Sequence, residues 1–587
     1  MIAALPKRWL VPEPETARVR DLAAALRIRE LTARVLVNRG IANPEQAIRF
    51  LRPSLDHLHD PGLLAGMPEA LARLKRAIAA GEKILIYGDY DVDGTISIVI
   101  LKKAIEMAGG SADFYVPHRL RDGYGMRTEV IEEASRNGVN LIVSVDTGIR
   151  AQHVVAAARE RGIDVIVTDH HLPEEELPPA IAVLNPNRPG CPYPEKNLCG
   201  AGVAFKLVQA LLSTLDWPVE KRNLMLRSFL KLVGIATVAD VVPLTGENRI
   251  MVKHGLDGLE RVNNHGLRAL LDVAGLSGGR PTAEQVAFRV APRINAAGRM
   301  AHAENVIHMF LTGEPARARA LAQELHDLNQ ERQQTEAEMV RTVMEICEAQ
   351  PVTESDCALV FSGPNWHRGV VGIVASRLVD RFCRPVFVLS EENGQAQGSG
   401  RSIAAFHLLN ALESMPELFT RFGGHRQAAG VTLPLEALPE FRRRFNQYAA
   451  ACLTPDDFVP QIGIDSVLAL KELDEAAVNE LLAMAPFGFG NPPPVLAAMN
   501  TECAGPPSIL KDKHLRVNLR QNGRSLTAKA WNFAERASEV AAGNRIDVVF
   551  AVEQDSFAAS RGWPGWSITV RDVRPVAVAS VRAAVEG

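Results

Sequence analysis

The chain has 587 residues, 47% hydrophobic and 23% charged, with a formal net charge of −3. This length suffices for several domains with ample cores, and the composition excludes a disordered or fibrous protein. The charge excludes an overall polycation, although a confined basic groove can attract phosphate while acids elsewhere balance the total.

The first 80 residues read as helices broken by prolines, over 16–38, 44–51 and 67–80, and are expected to pack on the domain that follows. Residues 84–94, ILIYGDYDVDG, then form an apolar β-type run ending in Asp89, Asp91 and Asp93, two residues apart. Carboxylates this close repel unless divalent cations neutralise them, although an Asp/Gly run also suits a strand-end turn. Related strand ends recur: 139–145 runs into Asp146, and 163–168 into Asp169-His170-His171. Helical segments at 95–108 and 151–161 alternate with these strands, which predicts a parallel sheet. In such a sheet the carboxyl ends share one edge, so the motifs should converge. Cys191 and Cys199 lack an accompanying cysteine or histidine pair and are not expected to bind zinc. In 232–244, LVGIATVADVVPL, the one charged residue is Asp240, an expensive group to bury without a hydrogen bond or a metal.

Residues 314–350 contain no Gly and no Pro after Pro315, which predicts a long, largely solvated helix of about 50 Å joining two lobes. A new α/β pattern follows, with strands at 357–361 and 385–389 around a helix at 370–382. The stretch APFGFGNPPP (485–494) resembles a linker before further strands. Within 514–533 an Asn522-Gly523 turn predicts a hairpin that sets Arg516 opposite Lys529, with Trp531 and Phe533 continuing the alternation. Such a face suits phosphate contact and base stacking, and it is also compatible with an ordinary solvated hairpin. The seven cysteines are odd in number, form no CxxC pair and suit free thiols in a reducing cytoplasm. No segment approaches about 18 consecutive apolar residues, so a protein neither exported nor membrane-spanning is expected.

GDYDVDG, SVDTG, TDHH and TVADVVPL resemble the four successive motifs of the DHH phosphoesterases. PHRLRDGYG, RINAAGRM, WHRGVVGIVASRL, GSGRS and FGGHRQAAG resemble, in order, those of the bacterial RecJ-type single-strand-specific exonucleases within the DHH/DHHA1 superfamily. The resemblance implies an α/β fold: an N-terminal helical segment (1–80), a parallel-sheet DHH catalytic domain (81–313), the connecting helix (314–350), an α/β DHHA1 domain (351–454) and a β-rich OB-fold domain (455–587). It implies Mn2+- or Mg2+-dependent 5′-to-3′ hydrolysis of single-stranded DNA in recombination and repair, by two ions on Asp91, Asp93, Asp146, His170 and Asp240. Asp89 is expected at the metals too, completing the coordination or supporting it from behind, and His171 is expected in phosphate contact or proton transfer. Many DHH proteins carry a metal-binding histidine where this chain has Tyr87. Arg119 and Tyr124 are expected on the strand; Arg299, Ser399 and Arg401 on a terminal phosphate; and His367 and His425 as further phosphate contacts. Arg516 and Lys529 are expected to bind nucleic acid from the last domain. A single-strand-binding protein and a RecQ-type helicase are expected partners of a cytoplasmic monomer. The alternative activity is a DHH phosphodiesterase for short oligonucleotides or cyclic dinucleotides.

Overall fold

The structure, a computed structural model, describes residues 7–13, 15–119, 121–555, 562 and 564–576. The chain forms two compact units: residues 58–459, and residues 1–57 together with 460–587.

In the larger unit, five parallel strands lie in the order Ala112–Tyr115, Ile84–Tyr87, Leu141–Val145, Asp164–Thr168, Ala182–Leu184. Ile84–Tyr87 and Leu141–Val145 are buried on both faces, which explains their unbroken apolar character. The strand order reverses between these two strands, so their carboxyl ends flank a crevice of the kind where open α/β sheets bind ligands. Helices Val92–Met107, Gly200–Ser213 and Val219–Ala239 pack together beside this sheet.

The helix over Pro315–Ala349 has nearly the expected bounds, but it is not a solvated strut. Ala318, Ala322, Leu325, Asn329, Arg332, Glu336, Met339 and Val343 form a buried stripe at helical spacing. Its polar centre is satisfied: Arg332 donates to Glu336 and Asn329 at 2.6 Å each, and Arg377 also donates to Glu336. The sequence disguised this stripe because small and paired polar residues occupy core positions there. Beyond it, a five-stranded sheet runs Arg421–Gly424, Ala428–Pro434, Gln395–Arg401, Val386–Glu392, Leu359–Pro364, with helix Val371–Phe382 packed on it.

In the smaller unit, Val495–Cys503 pairs with both His514–Gln521 and Arg545–Gln554, which closes a barrel. Arg524–Ala530 pairs in parallel with Trp566–Pro575, and the remaining pairings of these five strands are antiparallel, as in a five-stranded OB barrel. Residues 16–51 belong here and not on the catalytic sheet, which corrects the expectation for the first 80 residues. The predicted helix over 16–38 is two helices, Thr16–Leu26 and Glu30–Asn38, broken where Arg27 takes a φ of 54°. Their apolar faces share one core with Leu470, Leu481, Leu515 and Phe550, and Arg39 grips Asp465 through two bonds of 2.7 and 2.8 Å. Of the expected early helices, Met67–Ala80 packs on the catalytic lobe, against Gly200–Ser213 and Ala182–Leu184.

Leu36, fully buried in the shared core, tests this assignment. Leu36→Ala should destabilise the unit holding the barrel by about 2–5 kcal/mol. Hydrogen exchange should then speed up in Leu515–Leu519 and remain unchanged in Ile84–Tyr87.

Candidate metal centre and phosphate pocket

The expected acids meet at the carboxyl edge of the parallel sheet. Asp91 caps the helix Val92–Met107, its side chain accepting from Gly94 N–H at 3.0 Å. Asp93, in the first turn of that helix, accepts from the free N–H groups of Gly200 (2.5 Å) and Ala201 (2.8 Å) at the start of another helix. Asp146 follows its strand with a φ of 58°, which is uncommon for a non-glycine residue and aims the carboxylate inward. A Cβ on Gly200 would stand 2.6 Å from Asp146 Cβ and Oδ1, so only glycine leaves room for this acid. Asp240 arrives from the C-cap of helix Val219–Ala239, not from a strand end.

These groups form three overlapping clusters, one of them Asp146, His170 and His171. Ligand atoms of Asp93, His170 and Asp240 lie within 4.8 Å of one another, as do those of Asp89, Asp91 and Asp146. His170 Nε2 links them, 3.3 Å from Asp146 Oδ1, 3.7 Å from Asp240 Oδ2 and 3.9 Å from Asp93 Oδ2. Burial raises the pKa of Asp89, Asp93 and Asp146, and neighbouring carboxylates add to the effect. Asp240 is pushed up to about 9 by burial and then by Asp93 and Asp91. Burial lowers His170, favouring the neutral imidazole that can ligate. Asp89 Oδ1, Asp146 Oδ1 and Asp240 Oδ2 are buried without a hydrogen-bond partner in the protein. Inward-facing carboxylate oxygens left in this condition fit hard divalent ions, and the donor set of oxygens and one imidazole suits Mn2+ or Mg2+. Tyr87 is fully buried and donates to Gly125 O at 3.2 Å, so it takes no part in this set.

His171 packs against His170, ring centroids 4.4 Å apart, but takes different hydrogen-bond partners. Its Nδ1 donates to Asp169 Oδ1 at 2.7 Å, with Tyr124 Oη 3.2 Å away. Burial alone would lower its pKa, but the Asp169 bond and charge outweigh that and raise it. Asp169, given no role on sequence grounds, is itself fixed by N–H groups of Ile149, His170 and His171. Asn185 and Asn187 hold the His171 and His170 carbonyls at 2.8 Å, two further residues without a distinguishing sequence signal.

Arg119 and Tyr124, expected to act together, are separated. Tyr124 sits at His171, whereas Arg119 lies 4.8 Å over the Tyr90 ring and beside Arg299 and Arg401. Arg299 Nη1 donates to Gly369 O at 3.1 Å, and Arg401 Nη1 to Ser399 Oγ at 2.6 Å. A Cβ at Gly372, in the first turn of helix Val371–Phe382, would lie 3.0 Å from Arg401 Nη2 and 3.4 Å from Ser399 Oγ. This turn therefore abuts the pair. Burial, followed by Arg119, Arg401 and Arg332, lowers Arg299 to about 9. His367 Nδ1 accepts from Gly369 N–H at 3.2 Å. His425 is lowered first by burial, then by the charges of Arg150 and His171.

In the barrel, Arg516 does face Lys529. The face is less basic than expected, because Lys529 pairs with Asp555 at 2.6 Å and Arg520 with Glu502 at 2.5 Å. Trp531 is exposed, whereas Phe533 turns into the core, since the strand ends at Ala530.

Comparison with known proteins matches the DHH family N-terminal domain to residues 83–237, the DHHA1 domain to 355–451 and the RecJ OB domain to 464–563. The single-stranded-DNA-specific exonuclease RecJ of Bacillus subtilis is 39% identical over 92% of this chain and 68% of its own length. The chain belongs to the RecJ family. Crystal structures of RecJ from Thermus thermophilus superpose on this family member over 97% of its length. The Mn2+ complex has a TM-score of 0.81 and 32% identity, with 80% of that chain covered; the Mg2+ complex has 0.76 and 30%, with 79% covered. No described helix of this RecJ-family chain is long and apolar enough to cross a membrane.

The raised carboxyl pKa values set a pH test for the RecJ-family centre. The folded protein keeps protons that the unfolded chain, titrating near 3.8, releases, so without divalent ions stability falls from about pH 4 towards about pH 9. Mn2+ should therefore raise the melting temperature more at about pH 8 than at about pH 5. Calorimetry showing equal gains at both would count against ligation by these acids.

Proposed function

We propose that this chain is a Mn2+- or Mg2+-dependent exonuclease that hydrolyses single-stranded DNA from its 5′ end, in recombination and repair. The observation that carries this reading is the placement, within one compact unit, of an acid-and-imidazole cluster and a separate arginine pocket closed by the second lobe.

Asp91, Asp93, Asp146, His170 and Asp240, with Asp89 beside them, would hold the ions. Once bound, these would activate water and stabilise the charge that builds on phosphorus and the leaving oxygen. His171, held by Asp169, keeps a proton close to the cluster for a phosphate oxygen or the departing group. Tyr124 offers its half-exposed ring to a base. Arg119, Arg299, Ser399 and Arg401 supply charge-assisted donors to a terminal phosphate. That pocket sets polarity, because a strand anchored by its 5′ phosphate presents the adjoining phosphodiester to the acids. His367 and His425 would contact phosphates from the second lobe, and Arg516 with Trp531 would bind nucleic acid on the barrel. A single-strand-binding protein and a RecQ-type helicase are the proposed partners and the cytoplasm the proposed location, on the strength of the family resemblance.

End-labelled single strands of several lengths, digested with and without Mn2+, test this reading. Mononucleotides should be released progressively from 5′ ends only with metal, and Asp146→Ala should abolish release. Endonucleolytic products, or activity restricted to dinucleotides, would overturn it. Arg401→Ala should reduce the preference for 5′-phosphate over 5′-hydroxyl ends by about tenfold to a hundredfold, corresponding to about 1.5–3 kcal/mol for a charged hydrogen bond. Full retention of that preference would place the phosphate elsewhere.

A further inference from the structure

Next to the arginine pocket, the catalytic lobe holds a second cavity of about 80 Å³, whose walls include Tyr90, His118, Arg119, Arg121, His302 and Glu304. None but Arg119 has a part in the mechanism above. The two spaces share a wall. Arg119 lines the cavity and is also near enough to Arg299 and Arg401 to repel their charges. Gly298, which immediately precedes Arg299, lines it too, packed so closely that a Cβ would stand 2.5 Å from Tyr90 O.

The lining offers donors from Arg119, His118 and His302, while Arg121 is already bonded to Asp122 at 3.0 and 3.2 Å. His118 Nδ1 accepts from Arg121 N–H at 3.3 Å, which leaves the proton of the neutral ring on Nε2. The His118 and His302 rings meet edge to face with centroids 4.9 Å apart, and His302 is exposed at the cavity wall. Glu304 is the one carboxylate of the lining, and it sits in the first turn of helix Glu304–Leu311, where free N–H groups offset its charge. The cavity has room for several waters or one tetrahedral oxyanion.

We propose that this cavity receives the second phosphoryl group of a strand whose 5′ end carries a diphosphate, so that the enzyme engages such ends without prior trimming to a monophosphate. The proposal rests on the reading of Arg299, Ser399 and Arg401 as the terminal-phosphate pocket and extends it by one group.

The full-length chain with Mn2+ would be given one single strand bearing a 5′-hydroxyl, a 5′-monophosphate or a 5′-diphosphate, labelled at its 3′ end. Wild type should process the diphosphate within about threefold of the monophosphate. His302→Ala and His118→Ala should each lower kcat/KM for the diphosphate by about tenfold and leave the monophosphate nearly unchanged. Wild-type refusal of diphosphate ends, or an equal loss on both ends in the variants, would overturn the proposal. Inorganic phosphate is the other source of the same group. Its inhibition of wild type on monophosphate strands, relieved by His302→Ala while diphosphate ends are refused, would assign the cavity to the free anion and overturn the strand-end reading. The hydroxyl arm reports separately on the terminal pocket: absence of any preference for monophosphate over hydroxyl would remove the underlying reading, whatever the cavity does.

Discussion

Crowding carboxylates where water is largely excluded is the constraint around which the catalytic lobe is built. Asp89, Asp93 and Asp146 are almost fully buried, and each makes the ionisation of its neighbours harder. Left on mobile loops, such groups would splay into solvent. Here each of three is tied to a rigid element: Asp93 to a helix N-terminus, Asp91 to its own helix cap, Asp146 to the end of a fully buried strand. Some of the cost is stored in the backbone. Asp146 and Val241, the residue after Asp240, both adopt positive φ, at 58° and 57°, and for a β-branched valine that conformation is strained.

The arginine pocket repeats this logic with the opposite sign. Burial and then the charges of Arg119 and Arg401 lower the pKa of Arg299, and burial and then Arg119 lower that of Arg401. On the proposed function, two like-charged clusters, each unfavourable alone, would both be relieved when cations and a polyanionic strand arrive together. Binding free energy would thereby be directed to the one ligand that bridges them.

Much of this was legible because strand-end acids in a βαβ pattern converge whatever the tertiary detail. Asp91, Asp93, Asp146 and His170 needed only periodicity and the rule of the shared sheet edge. Asp240 was harder, since its helix reads as an apolar run and its proximity arises from packing. Asp169 was visible as a letter in a motif, but its service to His171 depends on a 2.7 Å contact that no pattern encodes. Likewise the division of Arg119 from Tyr124, five residues apart, depends on which way a loop turns. The errors in the smaller unit share a cause: residues 16–51 carry an amphipathic pattern, and such a pattern states that a face is buried without stating against what.

That discontinuous unit has a consequence for synthesis. The helices of residues 16–51 leave the ribosome well before the strands that cover their apolar faces. At about 5–20 residues per second, on the order of half a minute or more of elongation separates the two halves of one core. The 58–459 body can finish folding in that interval, whereas the leading segment waits with its hydrophobic faces uncovered, a natural point of engagement for chaperones on the nascent chain.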